Sequence, residues 1–396
     1  METKTGEIKA ISNLGRTSEG TYYEKLNYAV GESHEPGSTF KLMAMVRALE
    51  DKVIDTSDVI DTKNGILSFY GRKVRDSKKG GYGKISAARA FEVSSNTALV
   101  QIINDNYQDK PEKFVEGLFD MKINTPLGLP ILGEGVPKFT HPNDKVNWDG
   151  LDLPWMAFGY GISLTPLQTL TFYNAIANNG VMVKPRFIKE VKQFDQVVEK
   201  FDTEIISSSI CSQETIDKVK NMMKNVVEKE HGTAHNIYSE DFSMAGKTGT
   251  CQTEYWKSEG LYISSFAGYF PADNPKYSCI VVIHKPNKTK GYYGNVVAAP
   301  VFKEIAQKIY SNIPNVESYD ELKFEVQNQR IKEEVIVNLE NMIMPDISGY
   351  ELMDVIPLIE NVGCQVLIEG NGNRIKQLTK AGTKLKKGQT VKINLS

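Results

Sequence analysis

The chain has 396 residues, with 47 Lys or Arg against 49 Asp or Glu, so its net charge of −2 gives no basic surface for nucleic acid or for an anionic membrane. At 40% hydrophobic and 24% charged residues it is ordinary globular material, long enough for one large domain and a smaller one. Cys211, Cys251, Cys279 and Cys364 are scattered without a CxxC pair, which excludes a disulfide scaffold and a zinc ribbon, and no apolar run reaches a membrane span or a signal peptide.

Alternation predicts strands over 6–12 and 20–30. The stretch EPGSTFKLMAMVRALE (35–50) follows, apolar almost all the way round from Phe40 to Leu49 apart from Lys41 and Arg47, and it reads as a buried helix. Pro36 and Gly37 mark its start, and Ser38 falls where a cap or first turn belongs. RKVRDSKKGGYGK (72–84) is the one basic cluster, and it reads as an exposed, mobile loop. A helix is expected from about Ala87 through Ile103. In FGYGISLTPLQTLTFYNAIANNG (158–180), Thr165 is a cap, Pro166 suits the first helical position and Gly180 is a stop. After a helix over 213–229 come three strands with short turns, over 244–256, 263–271 and 276–286, then a helix over 300–313. Residues 314–340 turn polar and aperiodic, as a linker does. The tail, 341–396, recovers a helix near 349–362 and strands in QVLIEG, RIKQLT and QTVKINLS, enough for a small α+β module.

Lys41 poses a chemical question, because a buried ammonium is costly unless it is paired or gives up its proton. The bland answer is that Ser38 caps and Lys41 snorkels to the surface. Ser38 is, however, the only serine with a lysine three residues on, where average composition gives roughly one or two by chance. Two further motifs follow: Ser94-Ser95-Asn96 at a loop or helix boundary, and Lys247-Thr248-Gly249-Thr250 at a strand start. KTG also occurs at Lys4-Thr5-Gly6, read as a turn, so none of the three is specific alone. The ordered set resembles that of class A β-lactamases and penicillin-binding proteins, with SSN here in place of SDN. Acyl transfer needs a nucleophile, a base and oxyanion donors. Ser38 at a helix N-terminus gains the dipole and a backbone N–H, with Lys41 one turn on along the same face. Burial among Phe40, Leu42, Ala44 and Met45, with Lys247 nearby, is expected to push Lys41 toward the neutral amine that serves as base. Ser94 relays a proton to the leaving amine, and Asn96 holds Lys41 and the substrate amide. Lys247 faces a substrate carboxylate, and Thr250 gives the second oxyanion N–H on a strand that pairs with an extended peptide.

Residues 1–313 resemble the transpeptidase domain of class B penicillin-binding proteins: EPGSTFK, SSNTAL, FGYGISLTPLQ, GTA (232–234), AGKTGT, SSFAGYFP and GNVVAAPVFKEI all fit. The tail, with MPDISGY and KAGTKLKKGQTVKINL, resembles a single PASTA module. The resemblance implies an α/β, multi-domain chain with the penicillin-binding transpeptidase (serine β-lactamase-like) fold, an antiparallel five-stranded sheet between helices beside an all-helical lobe. It implies peptidoglycan cross-linking through an acyl-Ser38 intermediate, as in division or sporulation proteins, with no cofactor. The partners it implies are stem peptides, β-lactam antibiotics and division-machinery membrane proteins such as a glycan polymerase. Family members carry an N-terminal membrane anchor and a pedestal domain. Neither is read here, so an extracytoplasmic piece of a longer protein is expected.

Other readings stand beside this one. A D,D-carboxypeptidase or β-lactamase would hydrolyse the acyl-enzyme, but the Glu-x-x-x-Asn segment that activates water in class A β-lactamases is absent; Glu134 sits in a plausible loop without its asparagine. A non-catalytic penicillin sensor or scaffold is the third reading. His231 and His235 in EHGTAH lack a third metal ligand. His34 reads as an exposed turn residue, Tyr262 and Tyr269 as packing, and Cys251 as a small buried hydrophobe turned away from the cleft if Thr250 points in. Trp256 is a candidate for the cleft rim.

Overall fold

The computed structural model describes residues 1–395 apart from residues 25, 195, 254–259, 290, 313–332, 349, 351 and 371–374. The chain divides into two compact units, Met1–Asn312 and Ile313–Ser396. In the first, the strands Ala245–Thr253, Leu261–Phe270 and Tyr277–His284 form an antiparallel sheet in that order. Lys247 lies opposite Ala267 and Gly249 opposite Ser265. The middle strand is buried from Ile263 to Phe270, Ser264 and Ser265 included, as a strand covered on both faces is. Helices Pro166–Ala177, Gln213–Glu228 and Ala299–Asn312 pack against this sheet.

Five strands were expected, and three named strands are present in this sheet among the described residues. The chain start adds only an edge: Glu2 bridges Tyr277, and Ser278 N donates to Met1 O at 2.9 Å. The predicted strand over 6–12 reduces to a single bridge from Glu7 to Arg186, in which Arg186 N donates to Gly6 O at 2.8 Å and Ile8 N to Arg186 O at 2.9 Å. Among the described residues of 20–30, only Tyr22–Glu24 is a strand, hairpinned to Leu14–Arg16, and Tyr28–Gly31 is a helical turn.

The helical lobe centres on Lys41–Glu50, buried at every position from Lys41 to Val46. Around it stand Ala87–Glu92, Asn96–Tyr107 and Pro111–Asp120. The single helix predicted from Ala87 to Ile103 is two. Ser94 takes φ +58° between them, and Ser95 caps the second by accepting from Ala98 N at 3.1 Å. The 72–84 segment is not a free loop: Arg72–Arg75 pairs with Ile66–Phe69, and Lys84–Ser86 with Val59–Asp61. The helix at 166–177 forms as its punctuation predicts. Thr165 and Gln168 exchange side-chain-to-backbone bonds in a capping box, Pro166 opens the helix, and Gly180 at φ +89° turns the chain out.

In the second unit, helix Leu352–Asn361 accompanies a sheet in which Thr390–Leu395 is central, parallel to Gln365–Gly370 and antiparallel to Ile375–Gln377. The last eight residues of the expected linker, Glu333–Glu340, are helical, because Val335 and Leu339 are buried in this unit's core with Ile347, Val355 and Ile393. No described helix is long and apolar enough to cross a membrane.

Phe302 is fully buried, with its ring edge-on to Phe266 at 4.7 Å and to Phe270 at 5.5 Å. Phe302→Ala is therefore expected to destabilise the first unit by about 3–5 kcal/mol in denaturant titration, while Val301→Ala next to it, on the exposed side, changes stability by less than about 1 kcal/mol.

Candidate active site

Ser38 lies in a single 3-10 turn, Gly37–Phe40, that runs straight into helix Lys41–Glu50. The turn is fixed on three sides. Gly37 N donates to Gly159 O at 3.1 Å, Thr39 Oγ1 to Pro36 O at 2.8 Å, and the buried Tyr173 hydroxyl to Thr39 O at 2.8 Å. Gly37 is at φ +54°, and a Cβ on Gly159 would overlap the Gly37 carbonyl, so both positions require glycine. Glu35 closes the turn's mouth by accepting from Gly161 N at 2.9 Å.

Lys41 does not snorkel. Its side chain is fully buried, and Nζ donates to Ser94 O at 2.7 Å, Ser94 Oγ at 3.1 Å and Asn96 Oδ1 at 2.6 Å. From the strand side, Lys247 Nζ, also fully buried, donates to the same Ser94 Oγ at 2.8 Å and to Thr248 O at 3.3 Å. The three motifs thus meet at one hydroxyl. Both acceptor lone pairs of Ser94 Oγ are taken by the two lysines, which leaves its O–H to point elsewhere.

Burial drives Lys41 down to about 7, with the charge of Asp76 opposing the shift. Burial also drives Lys247 well below the usual lysine range, and here the charge of Lys41 adds to it. Of the two causes expected for Lys41, burial is the one at work, and the charge of Lys247 is not.

Ser94 holds a left-handed backbone that a serine adopts at a cost of about 1–3 kcal/mol. The geometry is locked by Ser94 N to Phe91 O at 3.0 Å and Ser95 N to Ala90 O at 2.9 Å. Asn96 is held from its other end, since its Nδ2 donates to Arg75 O at 2.7 Å.

Along the strand, Lys247, Gly249 and Cys251 turn toward Ser94 and the serine turn, while Thr248 and Thr250 turn to the opposite side. Thr248 Oγ1 donates to Thr233 Oγ1 at 3.0 Å, and Thr250 Oγ1 accepts from Gly294 N at 3.0 Å. Cys251 is thus on the serine side, under Gly37, and Thr250 is on the other, so the two lie on opposite faces as expected but with the faces reversed from the case in which Thr250 points in. It is buried, as a small hydrophobe would be.

Residues not singled out in the sequence hold this arrangement. Asp76 accepts from Ser95 Oγ at 3.0 Å, Thr97 N at 3.0 Å and Thr97 Oγ1 at 2.8 Å. Buried Glu92 accepts from Asn225 Nδ2 at 2.8 Å and sits 2.6 Å from His231 Nε2, while its carbonyl accepts from Thr233 N at 3.1 Å. The one signal for Asp76 was an acid alone in a basic run. Glu92 had none.

The other candidates separate. His231 pairs with Glu92 while His235 faces Val227 O, and no group of metal-ligating side chains gathers among the described residues. His34 is half-buried against His284, with ring centres 5.8 Å apart, and burial pushes its imidazole down to about 4; it is not an exposed turn residue. Its backbone is exchanged with Leu164, which draws it in. Glu134 has both oxygens engaged by Leu127 N and Leu129 N and staples its own loop. Tyr262 stacks on Tyr292 at 4.2 Å and Tyr269 is fully buried, both as packing residues. Trp256 lies outside the described residues.

Residues 1–307 match the penicillin binding protein transpeptidase domain and 342–396 match the PASTA domain. The chain belongs to the penicillin-binding transpeptidase family and carries a C-terminal PASTA domain. It is 27% identical to stage V sporulation protein D of Bacillus subtilis over 100% of this chain and 60% of that protein. It is 30% identical to penicillin-binding protein PbpB of Mycolicibacterium smegmatis over 79% of this chain and 50% of that one. The chain therefore spans about half to three fifths of the length of these relatives. Among solved structures, the transpeptidase domain of Burkholderia pseudomallei penicillin-binding protein 3 superposes with TM-score 0.64 at 23% identity, covering 79% of this chain and 87% of that one. Penicillin-binding protein 3 of Mycobacterium tuberculosis complexed with aztreonam superposes with TM-score 0.63 at 27% identity, covering 75% and 66%.

A Cβ on Gly249 would overlap Ser265 Oγ and lie 2.9 Å from Thr39 Cγ2, so it would press the strand away from the serine turn. Gly249→Ala is expected to lower stability by about 1–3 kcal/mol, read by thermal melting, with a larger proportional loss of serine reactivity than of stability.

Proposed function

We propose that this chain is a serine D,D-transpeptidase that cross-links peptidoglycan stem peptides and is acylated by β-lactams. The observation that carries the reading is the convergence of buried Lys41 and buried Lys247 on Ser94 Oγ, one turn from Ser38. In the proposed reaction neutral Lys41 takes the Ser38 hydroxyl proton as Oγ attacks the carbonyl of the penultimate D-Ala. The C–O bond forms, the peptide C–N bond breaks, and the departing D-Ala nitrogen takes its proton from the Ser94 hydroxyl, which is reprotonated by the Lys41 ammonium 3.1 Å away, so that the proton of Ser38 leaves on D-Ala. The Ser38 and Thr250 backbone N–H groups stabilise the oxyanion. The edge of the strand through Thr248 and Gly249 receives the extended stem peptide, and Lys247 supplies the charge for its carboxylate. An amine from a neighbouring stem peptide then reverses the sequence, with Lys41 returning the proton to Ser38. Asn96 orients Lys41.

The locked state of Glu134 supports transfer to an amine over hydrolysis, since that loop directs no carboxylate at the acyl-enzyme. The name of the Bacillus subtilis relative, and those of peptidoglycan D,D-transpeptidase FtsI proteins matched at 30% identity and below, support a place in septal or spore wall synthesis outside the cytoplasmic membrane. There a membrane anchor would hold the protein, and a membrane-bound glycan polymerase would supply the strands.

Intact-mass spectrometry after incubation with benzylpenicillin tests the reading. One adduct per chain, mapped to the Ser38 peptide, stable for hours and absent in Ser38→Ala, is the expected result. An adduct lost within seconds while penicillin is consumed makes the chain a β-lactamase, and no adduct on folded protein removes Ser38 as nucleophile.

The pH dependence has a definite sign. Because Lys41 must be neutral to act and is held at about 7, the acylation rate is expected to be low in acid and to rise tenfold per unit up to about 7 before levelling. Lys41→Met is expected to lower acylation by roughly 10²–10⁴-fold, the range of a lost general base, with the fold intact by circular dichroism.

A further inference from the structure

The strand pair Ile66–Phe69 and Arg72–Arg75 ends at Asp76, whose carboxylate reaches the turn between the two helices that carry Ser94 and Asn96. Both oxygens are used. Oδ1 accepts from Ser95 Oγ and Thr97 N at 3.0 Å, and Oδ2 from Thr97 Oγ1 at 2.8 Å and Ser95 Oγ at 3.1 Å. The preceding carbonyl, that of Arg75, accepts from Asn96 Nδ2 at 2.7 Å. Two consecutive residues of one hairpin therefore grip three consecutive residues of the site, Ser95, Asn96 and Thr97. A carboxylate on Thr97 N also stands at the positive end of helix Asn96–Tyr107.

The electrostatic setting makes this more than a clamp. The charged groups facing Lys41 are Lys247 across Ser94 and Asp76 behind it. Several charges on the packed helices are paired away from the site. Glu92 pairs with His231, Arg47 with Asp51, and Glu50 accepts from Ser212 N at the start of helix Gln213–Glu228. Two lysines are buried at the site, and the anion whose charge reaches Lys41 is Asp76.

We propose that Asp76 is a positioning residue for acyl transfer, which supplies the counter-charge to buried Lys41 while its hairpin pins the Ser94–Asn96 turn against it. This rests on the reading of Ser38 and Lys41 given above. It touches neither substrate nor reacting atoms; it acts through Lys41 and Asn96. Its charge favours the protonated form of Lys41 and so opposes burial, setting the pH at which the base becomes available.

Asp76→Asn is the discriminating substitution, because it keeps the shape, and the Ser95 and Thr97 hydroxyls can turn to accept where they donated. The experiment is the pH dependence, from 5 to 9, of the second-order acylation rate with a chromogenic cephalosporin, alongside thermal melting. Expected for Asp76→Asn is a lower plateau, together with an acid limb moved down by about one pH unit, so that activity at pH 6 retains a several-fold larger share of its plateau than in the unsubstituted protein. Thr97→Val removes the hydroxyl but keeps the charge, and it should leave the limb in place. If Asp76→Asn does not fold, Asp76→Glu and Asp76→Ser carry the same comparison, with the glutamate holding the limb and the serine moving it. An unmoved limb in folded Asp76→Asn, or in the serine variant, overturns the proposal. Absence of acylation in the unsubstituted protein would instead sink the transpeptidase reading itself, so the two failures are distinct.

Discussion

The site is organised by a cost, that of placing two lysine side chains out of water around one serine hydroxyl. A lone buried ammonium is unfavourable by several kcal/mol, and two side by side add their repulsion. The fold meets this with acceptors and with proton loss. Lys41 as an ammonium has three N–H bonds, and Ser94 O, Ser94 Oγ and Asn96 Oδ1 take all three. As a free amine it has two, plus a lone pair, so one acceptor must be released when the proton leaves. A lysine held at about 7 in such a shell changes its bonding with each proton it gains or gives up, and Ser94 and Asn96 are the groups that register the change.

That shell can exist only because three chain segments approach more closely than side chains permit. The serine turn meets the Gly159 loop at backbone distance, and the strand at Gly249 meets Thr39 across a gap that a methyl would fill. Tyr173 reaches Thr39 O from a helix more than a hundred residues away, which ties the nucleophile's turn to the sheet-side core. Rigidity around Ser38 is thus a property of the packed first unit as a whole, since interiors at this density do not shift piecemeal.

What could be read from the sequence follows the reach of each interaction. Ser38 with Lys41 is a pattern within one helical turn, the Thr165 capping box within three residues, and the KTGT strand within one alternation; all were legible. The break at Ser94 was not, because residues 87–103 are apolar at helical spacing on both sides of it, and its left-handed backbone is held by bonds to Phe91 O, Ala90 O and distant Lys41. Asp76 was misread for the same reason. Its partners lie some twenty residues on, so a basic, glycine-rich stretch looked like a free loop. The N-terminal strands were over-read, since alternation at 6–12 and 20–30 reports exposure on one side without guaranteeing a neighbour to pair with. Where long-range bonds decide, as at Glu92, local pattern carries no signal.

The strain at Ser94 has a reason in this light. A helix continued through Val93 would turn the Ser94 carbonyl into its own hydrogen-bond ladder and leave Lys41 without that acceptor. Breaking the helix there aims both the carbonyl and the hydroxyl of one residue at Lys41, and frees the next helix to begin at Asn96 with its side chain in reach. The strained residue, the capping serine after it and the Asp76 grip are parts of one device, in which a local backbone cost of about 1–3 kcal/mol is offset by satisfying a buried amine. Because two lysines already occupy the acceptor side of that hydroxyl, its proton is left pointing away from them, and the polarity required of a donor to a leaving amine is set before any substrate arrives.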